Sequence, residues 1–315
     1  MPAPAAPEPT NPSPSPPPAA GDFVWTVETT GGQGVLTALW GDGPGNVWAV
    51  GGGSVLHSSG DGRWTALRND TDASYQAVFA ADGFIFVGGT ACQGGLCQGG
   101  VLLRSADGGA SWTTQPVGAG VTSFTRHGAT LYLDSGDVYA SSDHFSTLRQ
   151  VPLGWPTSNG VWADGGALHA FGGLRGGEIR RSTDGGVSWS TVFDGIAGSK
   201  SGHLDAMVAG TRALYAIGNG CSVPACQGGV VRSDDDGATW RITRLPVADL
   251  VAGLWAVNDA ELFVGGAALQ RSIDGGASFA PLTLPLTKQW HAIWGSSAND
   301  LYVAGDDGTV VHGKR

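Results

Sequence analysis

The sequence predicts an all-β chain, a seven-bladed propeller of four-stranded blades closed by its own N-terminal strand. Three observations lead there. Glycine supplies 53 of 315 residues and only 14% are charged, a profile that suits short strands joined by tight turns and suits helices poorly. One octapeptide phrase recurs as SADGGASW (105–112), STDGGVSW (182–189), SDDDGATW (233–240) and SIDGGASF (272–279). The two ends of the chain read as complementary parts of one unit.

In chain order, residues 1–22 come first, and nine of them are Pro. Such a stretch has no core to pack and is expected to be an extended, disordered linker, so the folded domain is placed at 23–315. Linkers of this kind follow a cleaved signal or a lipid-anchored residue in envelope proteins, which points to an extracellular, periplasmic or outer-surface location with a cleaved signal or a lipid anchor upstream; a disordered cytosolic tail is the alternative. No apolar run approaches the roughly 18–20 residues of a membrane-spanning helix. The formal net charge is −10 with three Lys, which disfavours a nucleic-acid partner.

The repeat then sets the blades. A worn copy, SSDHFSTL (141–148), fills the widest gap, with Phe145 where glycine belongs, and a shortened copy, SSGDGRW (58–64), precedes the first full one. Six starts, at 58, 105, 141, 182, 233 and 272, fall 36 to 51 residues apart, the length of one four-stranded blade. Ahead of them lie paired β-prone runs with aromatics eight residues apart, Trp40 with Trp48 and Trp255 with Phe263. The last unit repeats that spacing in Trp294 and Tyr302, and its TVVH (309–312) matches SVLH (54–57) before the chain stops. Its fourth strand is expected from FVWTVET (23–29), with Trp25 placed like Trp64. Closure of this kind removes exposed sheet edges.

The phrase S-x-D-x-G-x-[ST]-[WF] resembles the Asp box of BNR-repeat propellers, a group that includes sialidases, xyloglucanase-type glycoside hydrolases, sortilin-type receptors and a photosystem II assembly factor. The style of WGSSANDLYVAGDDGT is similar to that of bacterial propellers from predatory and soil-dwelling species. The resemblance implies that the boxes sit at the periphery, on the face opposite ligand. The residues themselves agree with a structural role. Asp107, Asp184, Asp235 and Asp274 can accept bonds from N–H groups of their own turn. Trp112, Trp189, Trp240 and Phe279 can bury broad faces between blades.

The four cysteines fall in two similar segments, ACQGGLCQGGV (Cys92, Cys97) and CSVPACQGGV (Cys221, Cys226). Both are placed between second and third strands, in blades two and five. Two local disulfides fit an oxidising compartment; a joint four-thiolate metal site and free thiols are the alternatives.

Ligands are expected on the face carrying the inter-blade loops. Trp155 and Trp290 are candidates for stacking on a sugar or an apolar side chain. Asp72, Tyr75, Arg175, Lys200, His203 and His291 are candidates for polar contacts. No catalytic or metal-ligating set is identified, and no cofactor is expected. Glutamate occurs only at 8, 28, 178 and 261, which argues against the Tyr–Glu chemistry that the sialidase resemblance implies. A glycoside hydrolase needs two carboxyls roughly 5–10 Å apart, and Asp72, Asp82, Asp164, Asp194, Asp205 and Glu178 are unranked candidates for them. The leading expectation is a monomeric, non-catalytic binding or scaffold propeller for a protein or glycan ligand. A glycoside hydrolase acting on an extracellular polysaccharide is the alternative.

Overall fold

The computed structural model describes residues 23–315 apart from 95, 155–158, 165, 173–176, 196–200, 223–224 and 246–249; at 201, 221–222 and 225–226 it describes the backbone alone. The Pro-rich segment 1–22 lies outside the described residues. The chain forms seven antiparallel four-stranded sheets, and neighbouring inner strands pack into a ring that ends with the seventh blade against the first. The inner strands are Ala38–Gly43, Ala73–Ala81, Ser123–His127, Gly160–Ala163, Ser201–Ala209, Gly253–Ala256 and Trp290–Ser297. Blade 7 takes its outer strand from the other end of the chain: Val24–Glu28 pairs antiparallel with Val310–Lys314.

The eight-residue aromatic spacing has a simple geometric meaning. Trp40 and Trp48, Trp255 and Phe263, and Trp294 and Tyr302 are direct cross-strand partners in the first hairpins of blades 1, 6 and 7. Second strands are apolar on both faces because each face meets a different blade. In blade 1, Val47 and Ala49 pack toward blade 7, whereas Trp48 and Val50 pack toward blade 2. In blade 3, Leu131 and Leu133 face blade 2 while Tyr132 faces blade 4. The apolar core is thereby divided into seven clusters, one for each interface between blades.

The octapeptides are turns between third and outer strands. In 105–112, the Ser105 hydroxyl donates to Asp107 Oδ1 at 2.8 Å and accepts from the Gly109 N–H at 2.9 Å. Asp107 in turn accepts from the N–H and hydroxyl of Ser111. The same bonds recur at 182–189, 233–240 and 272–279. The worn copy keeps them too, although His144 and Phe145 must adopt left-handed φ values of 57° and 60°. Bonds from the Ser111 hydroxyl and N–H, and from Ser105, hold the Asp107 carboxyl at about 2. Trp112, Trp189, Trp240 and Phe279 each pack, half-buried, into the cluster shared with the preceding blade.

One recurring device is absent from the sequence reading. In blades 1 to 6 the second-strand aromatic pairs across the sheet with the residue just before the box serine, as in Phe86 with Arg104, His169 with Arg181 and Tyr215 with Arg232. These arginines reach the following blade and donate to the carbonyl at the fourth position of its box. Arg104 Nη1 reaches His144 O at 3.2 Å, Arg181 Nε reaches Asp236 O at 2.8 Å, and Arg232 Nη1 reaches Gly275 O at 3.0 Å. Blade 3 has Ala140 in place of the arginine, and Tyr132 Oη makes the equivalent bond to Gly185 O at 3.1 Å. An arginine directly precedes the box serine at 104, 181, 232 and 271, although Arg271 bonds Glu261 of its own blade at 2.8 Å.

Candidate functional site

The inner strands all begin at one end of the ring, where all seven line a cavity of about 260 Å³ at the mouth of the central channel. Its wall mixes apolar and polar surface, with Leu39, Val78, Phe124, Met207 and Leu254 among the apolar contributors and Gln76, Asp205 and His291 as the larger polar ones. Among the described lining residues, Asp205 is the sole carboxylate.

Two blades rise above the rest at this end. In blade 2 the second and third strands run Phe84–Gln93 and Leu96–Ser105; in blade 5 they run Leu214–Ser222 and Ala225–Ser233. The corresponding strands of the other five blades hold four to six residues. The inner strands of these two blades are lengthened to match, with Ala73 opposite Ala91 and Ser201 opposite Cys221. Each hairpin carries its cysteines at the tip in the same register, Cys92 opposite Cys97 and Cys221 opposite Cys226. Cys92 and Cys97 form a disulfide, which takes the blade-2 thiols out of any shared four-thiolate metal site. The side chains of Cys221 and Cys226 lie outside the described residues.

Polar networks brace the rim. His203 Nε2 lies 3.2 Å from Asp205 Oδ1, and that hydrogen bond, opposed by partial burial, raises the imidazole above its ordinary value. Asn219 donates to Asp205 Oδ2 at 2.9 Å and exchanges two 2.9 Å bonds with the backbone of Val251, which joins blade 5 to blade 6. On blade 7, His291 Nε2 lies 2.9 Å from Asp306 Oδ1. Between blades 1 and 2, Arg68 Nε and Tyr75 Oη both donate to Asp70 Oδ2; burial opposes the Asp70 charge, but these two donors hold its carboxyl below the usual range.

The sequence-derived candidates divide three ways. His203, His291 and Asp72 stand at the mouth, Asp72 exposed with its carbonyl accepting from Cys92 N–H at 2.7 Å. Trp290 and Tyr75 turn inward, 2% and 1% exposed. Trp290 packs with Phe263, Leu269 and Leu301 between blades 6 and 7, so its indole is a core residue and not a stacking platform. Tyr75 spends its hydroxyl on Asp70. Trp155, Arg175 and Lys200 lie outside the described residues.

Two of the carboxylates weighed for hydrolysis lie away from the mouth. Asp82 and Asp164 belong to turns between inner and second strands, at the opposite end of the ring, where Asp82 pairs with Arg126 and Asp164 binds the N–H groups of Gly166 and Ala167. Glu178 is tied to Arg180 at 2.8 Å and Thr191 at 3.0 Å, and its strand neighbour Asp194 is exposed at the rim of blade 4.

No family model and no curated protein matches the chain. Solved structures do. A structure described as YCF48 bound to D1 peptide superposes with a TM-score of 0.72 at 15% identity, covering 96% of this chain and all of the other. The GH74 xyloglucanase from Xanthomonas campestris gives a TM-score of 0.67 at 17% identity over 91% of this chain and 53% of its own length. A streptogramin B lyase gives 0.68 at 13% identity, covering 93% and 98%. At these identities the likeness is one of fold: the chain is a seven-bladed β-propeller, an architecture shared by peptide binders and enzymes.

Proposed function

We propose that this propeller is a non-catalytic binding module that takes an extended protein segment across its channel mouth. The observation that carries the reading is the pair of tall hairpins on blades 2 and 5, which face one another across the ring. Their lengthened inner strands, Ala73–Ala81 and Ser201–Ala209, are the sheet edges nearest the axis. Strand edges bind extended peptides through main-chain hydrogen bonds, and the cavity below, with apolar side chains beside Gln76, Asp205 and His291, is suited to receive side chains. The peptide-bound YCF48 structure supports this use of the fold. A glycan ligand has less support, because burial of Trp290 removes one of the two proposed stacking indoles. The alternative of a glycoside hydrolase lacks a second carboxylate in the described cavity lining. We further propose an exported location, which the Cys92–Cys97 disulfide supports.

The test is selection of a random peptide library on the purified, oxidised protein, with sugar release from polysaccharides followed in parallel. Enrichment of peptides whose binding falls in His203→Ala supports the reading. Failure to enrich any peptide, or release of sugar, overturns it.

A further inference from the structure

A second cavity, of about 490 Å³, opens at the other end of the ring between blades 1 and 2. It lies at an interface that lacks the arginine staple found between blades 2 and 3, 4 and 5, and 5 and 6. The residue equivalent to Arg104, Arg181 and Arg232 is His57, paired across the sheet with Trp48. His57 does not reach the next blade. Its Nε2 lies 2.8 Å from Asn46 Oδ1, which also accepts from Trp48 Nε1 at 3.1 Å. Asn46 Nδ2 donates to Asp42 Oδ1 at 2.9 Å, so Oδ1 of Asn46 is the acceptor and His57 must be the donor through Nε2. Gly108, the fourth residue of the blade-2 box, lines the cavity. Its counterparts His144, Gly185, Asp236 and Gly275 each accept a side-chain donor from the preceding blade.

What remains facing the cavity is a set of acceptors and aromatic surfaces. Trp40, Trp48 and Phe84 supply rings, and Asp42 and Asp82 supply carboxylates. Asp82 is already paired at the rim with Arg126 at 2.8 Å and His144 at 3.3 Å, whereas the hydrogen bond described for Asp42 comes from a neutral amide. Burial lowers the His57 imidazole below its ordinary value, against the pull of Asp42, so the ring is neutral near pH 7. Because Arg126 holds Asp82 and the Arg104 Cζ lies 5.9 Å over the Phe84 ring, the side of the cavity that keeps aromatic and acidic surroundings without an arginine among the described residues is that of Trp40 and Asp42. At blade 5, by comparison, the Arg232 guanidinium sits 5.4 Å over the Tyr215 ring.

We propose that the cavity between blades 1 and 2 is a binding site for a small guanidinium-bearing molecule, which takes the place that arginine fills between blades 2 and 3, 4 and 5, and 5 and 6. A planar cation stacks on tryptophan with a favourable cation–π term and donates in several directions at once. The site lies at the opposite end of the ring from the channel mouth and does not depend on the reading of that face.

The test is calorimetric titration with benzylguanidinium, using benzylurea as the neutral analogue of the same shape. Saturable binding roughly tenfold tighter for the cation is expected. Asp42→Asn and Trp40→Leu should each weaken it about threefold to fivefold. His57→Arg should fill the site from within, abolish binding and raise Tm. Asp42→Asn preserves shape, so it reports on the site even if His57→Arg fails to fold. Absence of saturable binding, equal affinity for the urea, or indifference to Asp42→Asn overturns the proposal.

Discussion

His312 and Glu28, 284 positions apart in sequence, are joined by a 2.8 Å hydrogen bond from Nδ1 to Oε1 where the last strand of the ring meets the first of the chain. The other ring nitrogen lies 2.6 Å from Asp300 Oδ1, and Glu28 Oε2 accepts from Trp64 Nε1 of blade 1 at 2.7 Å. All four residues are buried, so the closing seam carries a charged clasp over its apolar packing.

Burial opposes the charge on His312, but the bonds to Glu28 and Asp300 outweigh it and raise the imidazole above 6.5. A raised folded-state value means that this stabilisation is complete below about pH 6.5 and is lost as pH rises through the folded value. His312→Gln should cost about 3 kcal/mol or more, because it leaves two buried carboxylates without their cation. Thermal melts from pH 6 to 9 should show the wild-type decline over that range to be shallower in the variant. A variant with an unchanged pH slope would exclude His312 as its source.

His169 presents the opposite case. It is fully buried and neither ring nitrogen has a hydrogen-bond partner. Burial lowers its value to about 4, despite the nearby Asp164. The equivalent positions in blades 2 and 6 are Phe86 and Phe263, each buried. His169→Phe should stabilise by about 1–2 kcal/mol by removing an unsatisfied polar group. Because the folded value lies below the unfolded one, wild-type stability falls as pH drops from 6.5 toward 4. Urea titrations at pH 7 and pH 4.5 should find the gain larger at the lower pH.

Phe145 stands where the full boxes have glycine, in a left-handed conformation. Its ring is 1% exposed and meets Phe86 edge-on at 4.9 Å. Phe145→Gly relieves about 1 kcal/mol of backbone strain, yet it removes a core aromatic whose truncation costs about 3–5 kcal/mol. A net loss of about 2–4 kcal/mol in chemical denaturation is expected. A stabilised variant would show that the turn, and not the cluster between blades 2 and 3, governs this position.

The Cys92–Cys97 bridge closes a short loop above the ring, with Leu96 at its tip 68% exposed. Reduction should fray the tip and leave the interface clusters intact. Limited proteolysis should therefore cut near Leu96 in the reduced protein or in Cys92→Ser/Cys97→Ser, while Tm changes little. A large fall in Tm would mean that the bridge supports the ring itself.

The ring was legible because its signals are local and repeated. The box, the eight-residue hairpin spacing and the split last blade each announce a strand–turn–strand unit, and counting them gives the ring. The binding face was less so. Trp290 was assigned there by its position next to a loop, but it opens the inner strand of blade 7, and side chains alternate across a strand, so one residue separates mouth from core. Asp82 and Asp164 failed for a related reason: both lie in turns, and only the parity of the turn along the blade tells one end from the other. The arginine staples were written plainly before the box serines, but their meaning lies in the next blade, whose position a linear reading does not supply.

Synthesis gives the N-terminal strand a peculiar schedule. Val24–Glu28 leaves the ribosome long before its partner Val310–Lys314. At typical elongation rates the interval is on the order of 15–60 seconds. Throughout it the outer strand of blade 7 exists without its sheet, and blade 1 lacks one of its two neighbours. The first six blades can stack as they emerge, yet the circle is completed only after Val310–Lys314 is free to pair, so emergence of that one strand is itself a folding step.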